Sequence, residues 1–355
     1  MRGSGLSQKL NNLLFFMAGV LVVVIAVILI MAIQAKGQNR NDSMTGANEI
    51  TNQTIETTGA AMTGNVEKWQ EGTIEYNGKY YRYNNYIRSY LLMGIDSDEP
   101  VKTAEDSVSG GQSDAMFLLV VDAENETLSI ISINRNTMTA VDVYDKDGKG
   151  LGIYQAQICT QHGFGDGKKL SCTRTVSAVK NLFYNIPISG YISINMGAIP
   201  ILNDAIGGVE VEVLEDISYP RQKVNLSAGE VVKLNGQEAY YYVRGRDTND
   251  FDSATNRLRR DEQYLVNFMN QLKKYSGGNA EMIAGVYESV SDYVVSSVDF
   301  TSLVKDLIGY EFSENIMYTV PGETRMGDKY EEYHVDEDKF YDLIIHIFYN
   351  EVSAE

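Results

Sequence analysis

The chain has 355 residues, 44% of them hydrophobic, and a formal net charge of −18. That length suits one large domain, or one domain with an appendage. The acidity argues against a nucleic-acid partner, because proteins of that kind carry a basic footprint.

Leu13 to Ile33 read LLFFMAGVLVVVIAVILIMAI without a single charge. At ~1.5 Å rise per residue this run matches the ~30 Å hydrocarbon core of a bilayer, which predicts a transmembrane helix. A signal peptide has a shorter apolar core, and Ala32-Ile-Gln-Ala35 imitates a cleavage site poorly, so an uncleaved anchor is expected. Arg2 and Lys9 before the span balance Lys36 and Arg40 after it, which makes the positive-inside count a tie. The free amino terminus and the later acidic residues favour residues 1–12 inside and the C-terminal mass outside the cell membrane. Residues 34–65, rich in Asn, Thr, Gly and Gln, read as a flexible extracellular spacer.

Gly72 to Tyr83 alternate around Asn77-Gly78, the strongest short hairpin signal. Tyr90–Ile95, Met116–Asp122 and Leu128–Ile133 are β-rich runs, and the last two flank an Asp-Ala-Glu-Asn-Glu turn, so they predict adjacent buried strands. A helix at Arg174–Tyr184, a strand at Tyr191–Asn195, a helix at Gly197–Ile206 and a strand at Val209–Val213 follow, with Gly207-Gly208 ending the helix. Gly236–Val243 and Asn256–Lys274 read as helices. Beyond residue 278, helices are expected at Ala280–Val295 and Ser302–Tyr310, a strand at Ile316–Val320, and a terminal amphipathic helix at Asp336–Tyr349. The alternation predicts an α/β or α+β layered fold, a mainly β central sheet flanked by helices. Residues 66–278 would form the domain and 279–355 an extension packing on it.

Cys159 and Cys172 enclose a Gly/Lys-rich loop. In an oxidising compartment they are spaced for a local disulfide contributing up to roughly 3 kcal/mol on the chain-entropy model, with two buried free thiols as the alternative.

Five arginines, Arg244, Arg246, Arg257, Arg259 and Arg260, fall in a short stretch of an acidic chain. Arginine serves where a planar fork grips phosphate or carboxylate oxygens, which suits a polyphosphate ligand. Asp247, Asp250, Asp252, Asp261 and Glu262 are interspersed, so a salt-bridged exposed helix accounts equally for the composition. Arg257 and Arg260, three apart, share one helix face near an N-terminus that itself favours anions. Asp96 closes one strand and Asp114 opens the next. Two such carboxylates can hold a hard divalent cation completed by water and phosphate oxygens, although either alone also suits a turn or cap. Arg135, just past the third strand, can point into the same cleft. His162, His334 and His346 lack metal-ligand spacing, and no Walker A loop, nucleophile elbow or dinucleotide fingerprint is present.

Taken in order, Leu92-Met-Gly-Ile-Asp-Ser97, Gln112-Ser-Asp-Ala-Met116, Ser132-Ile-Asn-Arg-Asn-Thr137, Leu202-Asn-Asp-Ala-Ile-Gly-Gly-Val209 and Tyr242-Val-Arg-Gly-Arg246 with Arg257-Leu-Arg-Arg260 resemble the LytR-CpsA-Psr family of Gram-positive cell-wall proteins, over about residues 88–275. The resemblance implies a phosphotransferase that moves a glycopolymer from a polyprenyl pyrophosphate carrier onto peptidoglycan. It implies Mg²⁺ bound by Asp96 and Asp114, and pyrophosphate gripped by Arg135, Arg244, Arg246, Arg257 and Arg260. Arg135, Arg244 and Arg246 would act on the developing charge; Asp252, between the two arginine pairs, is the candidate general base. Arg259 points elsewhere on the helix. Gln112 stands where many relatives have Arg, Asn136 where Asp is usual, and Asp261 where Gln is common. These departures leave two alternatives: a non-catalytic binder of polyprenyl-pyrophosphate wall precursors, and a polyprenyl-pyrophosphate pyrophosphatase.

Overall fold

Asn77 and Gly78 both adopt positive φ, 49° and 74°, which matches the twist of a two-residue hairpin. They join β1 (Thr73–Tyr76) to β2 (Lys79–Tyr83), as the alternation predicts. The computed structural model describes residues 73–246, 250–277, 279–298 and 314–353. The expected transmembrane helix, the spacer and the helix at Ser302–Tyr310 lie outside these residues. Among the described residues no helix is long and apolar enough to cross a membrane.

Three long strands follow: β3 (Ile87–Ile95), β4 (Ser113–Asp122) and β5 (Thr127–Ile133). Their near-continuous apolar runs mark strands covered on both faces. β6 (Met138–Tyr144) and β7 (Gly150–Gln157) form a separate hairpin that the sequence did not announce, because its β7 side chains are mostly exposed. A 3₁₀ turn (Ile158–Gly163) leads to α1 (Lys169–Leu182), β8 (Gly190–Asn195) and α2 (Ala198–Ala205). Gly207 and Gly208, at φ 80° and 91°, end α2 and start β9 (Val209–Glu212), as a glycine stop requires.

Short strands β10 (Ile217–Tyr219), β11 (Val224–Leu226) and β12 (Val231–Leu234) precede α3 (Gly236–Arg244). Asn235 opens α3 with a capping box: its side chain accepts from Glu238 N–H, and Glu238 accepts from Asn235 N–H. The 24-residue α4 (Ser253–Ser276) ends at Gly277 in the left-handed region. α5 spans Ala280–Glu288, shorter than expected, because the Tyr293-Val-Val-Ser296 stretch, with an aromatic and two β-branched residues, supplies β13 (Val294–Ser296) instead. β14 (Met317–Thr319), β15 (Gly322–Met326), β16 (Glu331–Val335), α6 (Glu337–Phe348) and β17 (Tyr349–Val352) complete the order.

The central sheet runs β13-β8-β3-β4-β5-β14. β3 pairs antiparallel with β4 and parallel with β8; β5 pairs antiparallel with β4 and parallel with β14. Both edge strands therefore come from beyond residue 279, so that segment completes the sheet itself. Alternate strand residues feed two cores. Leu92, Phe117 and Ile130 pack with α2, α3, α4 and α5; Leu91, Leu118 and Ile131 pack with α1 and α6. The result is the expected mixed α/β architecture, a sheet between helical layers.

Candidate functional site

The site grows from an irregularity between β3 and β4. Gly94 pairs with Ala115 but Ile95 pairs with Ser113, so Asp114 is the extra residue of a bulge. A bulge bends its strand and re-aims a side chain. Here it buries the Asp114 carboxylate between two guanidinium groups. Arg135 Nε lies 2.8 Å from Oδ1 and Arg257 Nη1 3.4 Å from Oδ2, with side-chain exposures of 9%, 5% and 1% for Arg135, Arg257 and Asp114. Arg257 also donates through Nη2 to the Asp114 carbonyl at 3.2 Å. Burial is the largest single influence on the Arg135 charge and opposes it, but Asp114, Cys159 and Asp96 together outweigh it and raise the guanidinium above its ordinary value. At Arg257 burial dominates and lowers it.

Gln112 ties this pair to Asp96. Its backbone N–H donates to Asp96 Oδ1 at 2.6 Å, and its side-chain Oε1 accepts from Arg135 Nη2 at 2.6 Å. Gly111 makes the first contact possible: it sits at φ +78°, and a Cβ there would lie 2.8 Å from Asp96 Oδ1. Behind the loop, His162 Nδ1 donates to the Gly111 carbonyl at 3.2 Å, which fixes the tautomer, and its Nε2 faces Cys172 Sγ at 3.8 Å. Burial pushes His162 down to about 4. Both cysteines are free and buried, so the thiol alternative holds. Cys159 Sγ accepts from Arg135 Nη2 at 3.2 Å.

Burial and the neighbouring Asp114 charge push Asp96 up to about 7. Two carboxylates crowded in this way match the one or two that Mg²⁺ takes from a protein, with water and phosphate oxygens completing its octahedron. Among the described residues there is no group of three or more His, Cys, Asp or Glu suited to a metal, so such an ion would depend on those other oxygens.

The end of α3 delivers two further arginines to a cleft of about 670 Å³. Arg244 lies over the rings of Tyr240 and Tyr241, 5.3 and 5.9 Å from their centroids, a cation–π arrangement. Tyr240 in turn donates to Asp98 at 2.6 Å. Arg246 lines the same cleft, and its Nη1 is buried without a hydrogen-bond acceptor among the described residues. Burial, followed by the charges of Arg257 and Arg135, pushes Arg246 down to about 10. A buried donor without an acceptor is costly, as is a buried cation that Asp114 and Glu331 compensate only in part, and an incoming anion relieves both.

Two expected members of the site stand elsewhere. Arg260 is fully buried, donates to the carbonyls of Tyr242 and Gly245 and pairs with Glu215 at 2.8 Å. It braces the chain leaving α3 and turns away from Asp114. Asp252, which like Asp96, Asp114, Arg135 and Arg257 does not line the cleft, is held by other partners: its Oδ1 accepts from the hydroxyls of Thr255 and Thr324, and its N–H donates to Glu331 at 2.8 Å. At φ 62° it anchors the start of α4 to β15 and β16. Asn136 is likewise structural, accepting from Gln157 Nε2 at 3.1 Å and donating its N–H to Asn134 Oδ1. Reasoning from sequence missed Cys159, His162, Tyr241 and Arg221 as neighbours of the site. Only Arg221 left a trace, a cation that with Lys223 follows Glu215-Asp216 and Tyr219-Pro220.

The profile of the LytR_cpsA_psr family matches residues 49–344. The chain is 31% identical over 178 residues to the polyisoprenyl-teichoic acid–peptidoglycan teichoic acid transferase TagU of Halalkalibacterium halodurans, covering 50% of each chain. It therefore spans about half the length of that relative. Its fold is similar to a Streptococcus agalactiae protein (TM-score 0.59, 20% identity, 74% of this chain and 86% of that one). It is also similar to TagV of B. subtilis (TM-score 0.56, 23% identity, 74% and 95%). With the family profile covering most of its length, the chain belongs to the LytR_cpsA_psr family.

Proposed function

We propose that the protein is a membrane-anchored, extracellular phosphotransferase of cell-wall biogenesis, moving a glycopolymer from a polyprenyl pyrophosphate carrier onto peptidoglycan. The observation that carries this reading is the gathering of Arg135, Arg246 and Arg257 around Asp114, with the Arg246 Nη1 left without an acceptor beside an open cleft. Family membership and the similarity to named teichoic acid transferases support the reaction class.

In this reading Arg135, Arg244, Arg246 and Arg257 bind the pyrophosphate. A peptidoglycan hydroxyl attacks the phosphorus that carries the sugar, the bond from that phosphorus to the bridging oxygen breaks, and polyprenyl phosphate leaves with the bond's electrons. The hydroxyl proton is released and a phosphodiester forms. Fixed guanidinium groups in a poorly solvated site stabilise charge as it develops, without reorganising. Asp96 and Asp114 would hold Mg²⁺, which supplies further neutralisation of phosphate charge. An N-terminal membrane helix would confine the enzyme beside its lipid carrier and raise the effective concentration of that substrate.

Calorimetric titration of the full chain with farnesyl pyrophosphate, a short soluble carrier, tests the grip. Arg246→Ala is expected to weaken binding by about 10- to 100-fold, the worth of a lost charged hydrogen bond. Its melting temperature should not fall, because the substitution removes a cation left without a full set of partners. Unchanged affinity in the variant would overturn the assignment.

A further inference from the structure

Arg246, whose charge is felt by Arg135 and Arg257, lines the cleft together with Arg244, whereas Arg135 and Arg257 themselves do not line it. The cleft's volume, about 670 Å³, falls in the range of complete small-molecule sites and leaves room beside a pyrophosphate. Its far wall is β10 with the 3₁₀ turn Pro220–Gln222, a part of the chain that the Asp114 cluster does not use. There Tyr219 and Tyr241 stack at a centroid distance of 4.4 Å and a 34° tilt. Lys223, at φ 60°, closes the turn through its N–H to the Pro220 carbonyl and so fixes where Arg221 leaves the backbone. Arg221 is exposed on the cleft, and no ion pair or hydrogen bond holds its guanidinium among the described residues. Carboxylates are close by, yet two are already engaged: Glu215 pairs with Arg260, and Asp216 accepts from Ala228 N–H. Asp250 also lines the cleft.

An aromatic pair and an arginine without an ion pair among the described residues, on a cleft that Ser218 and Gln222 also line, are the chemistry that recognises a sugar bearing a negative charge. We propose that this end of the cleft is a second subsite, which holds an anionic sugar unit of the glycopolymer next to its pyrophosphate link. Arg221 pairs with the phosphate or carboxylate of that unit, and the Tyr241–Tyr219 wall lies against its ring. The subsite rests on the transferase reading for the neighbouring pyrophosphate; it shares Tyr241 with Arg244, while Arg221 belongs to it alone.

The test uses the detergent-solubilised full chain and three lipid-free probes: a glycerol phosphate oligomer, an oligogalacturonate and the neutral chitotetraose. Wild type is expected to bind one of the two anionic oligomers more tightly than chitotetraose, and which one it binds separates phosphate from carboxylate as the recognised group. Arg221→Gln should weaken that binding by about tenfold while leaving farnesyl pyrophosphate affinity unchanged. The subsite is refuted by no binding of either anionic oligomer, by equal binding of chitotetraose, or by an Arg221→Gln variant that binds as wild type. Equal weakening of oligomer and farnesyl pyrophosphate would also refute it, since that marks a long-range field and no contact. Loss of farnesyl pyrophosphate binding in Arg246→Ala reads out the pyrophosphate grip separately, so failure of one claim is distinguishable from failure of the other.

Discussion

Arg135 Nε and Asp114 Oδ1 lie 2.8 Å apart with both side chains almost wholly buried. Breaking a buried ion pair from one side leaves the other charge stranded, at a cost of about 3–5 kcal/mol. In Asp114→Asn two arginines lose their counter-charge at once. Denaturant unfolding should show a loss of at least about 3 kcal/mol, and added pyrophosphate should stabilise the variant more than the wild type, because the anion takes the place of the carboxylate. An unchanged midpoint would mean that the arginines are held by other means.

Arg260 should behave as scaffold. It spans two backbone carbonyls and Glu215 through three separate nitrogens, a fork that a lysine ammonium cannot reproduce. Arg260→Lys is expected to cost about 2–4 kcal/mol in thermal or denaturant unfolding. Farnesyl pyrophosphate affinity at a temperature where the variant is folded should change by less than about threefold, well under one lost hydrogen bond. A large affinity loss with unchanged stability would return Arg260 to the ligand.

His162 gives the fold a pH dependence of known sign. Its folded pKa is about 4, below the ordinary value of about 6.5. The unfolded chain therefore binds the extra proton between those values, so this stability is fully present above about pH 6.5 and is lost as pH falls towards 4, by up to about 3 kcal/mol. Because Asp96, raised to about 7, adds an opposing slope in both proteins, it is the difference in unfolding free energy between wild type and His162→Asn that should carry the His162 slope from pH 7 to pH 4. Because the ring holds the Gly111 carbonyl, hydrogen exchange at Gln112 should quicken over the same window in wild type.

Much of this was legible in the sequence where local chemistry dominates. Asn77-Gly78 announced the first hairpin, the apolar runs announced β3, β4 and β5, and Gly207-Gly208 announced the end of α2. The strand-end positions of Asp96, Asp114 and Arg135 were legible for the same reason, since a strand fixes where its ends lie. Side-chain destinations on α4 were not. Arg257 and Arg260 are three residues apart, so they leave the helix about 60° apart. Over the length of an arginine that angle separates Asp114 from the carbonyls behind α3, and only the packing of α3 against α4 decides which guanidinium goes where. Gln112 is a similar case. As a missing arginine it looked like a loss, whereas its amide oxygen orients Arg135 and its N–H holds Asp96. The β6–β7 hairpin and the role of Asp252 depended on partners distant in sequence, among them Gln161, Tyr333, Thr324 and Glu331.

The central claim is transfer to peptidoglycan, and product identity tests it most directly. The full chain is incubated with Mg²⁺, a polyprenyl-pyrophosphate-linked glycopolymer and peptidoglycan fragments, and the products are resolved by mass. The expected result is a glycopolymer joined to peptidoglycan through one phosphate, with polyprenyl phosphate released in equal amount. Polyprenyl phosphate accompanied by free glycopolymer phosphate would make the protein a pyrophosphatase. Tight binding with no new product would make it a binder, and either outcome contradicts the account.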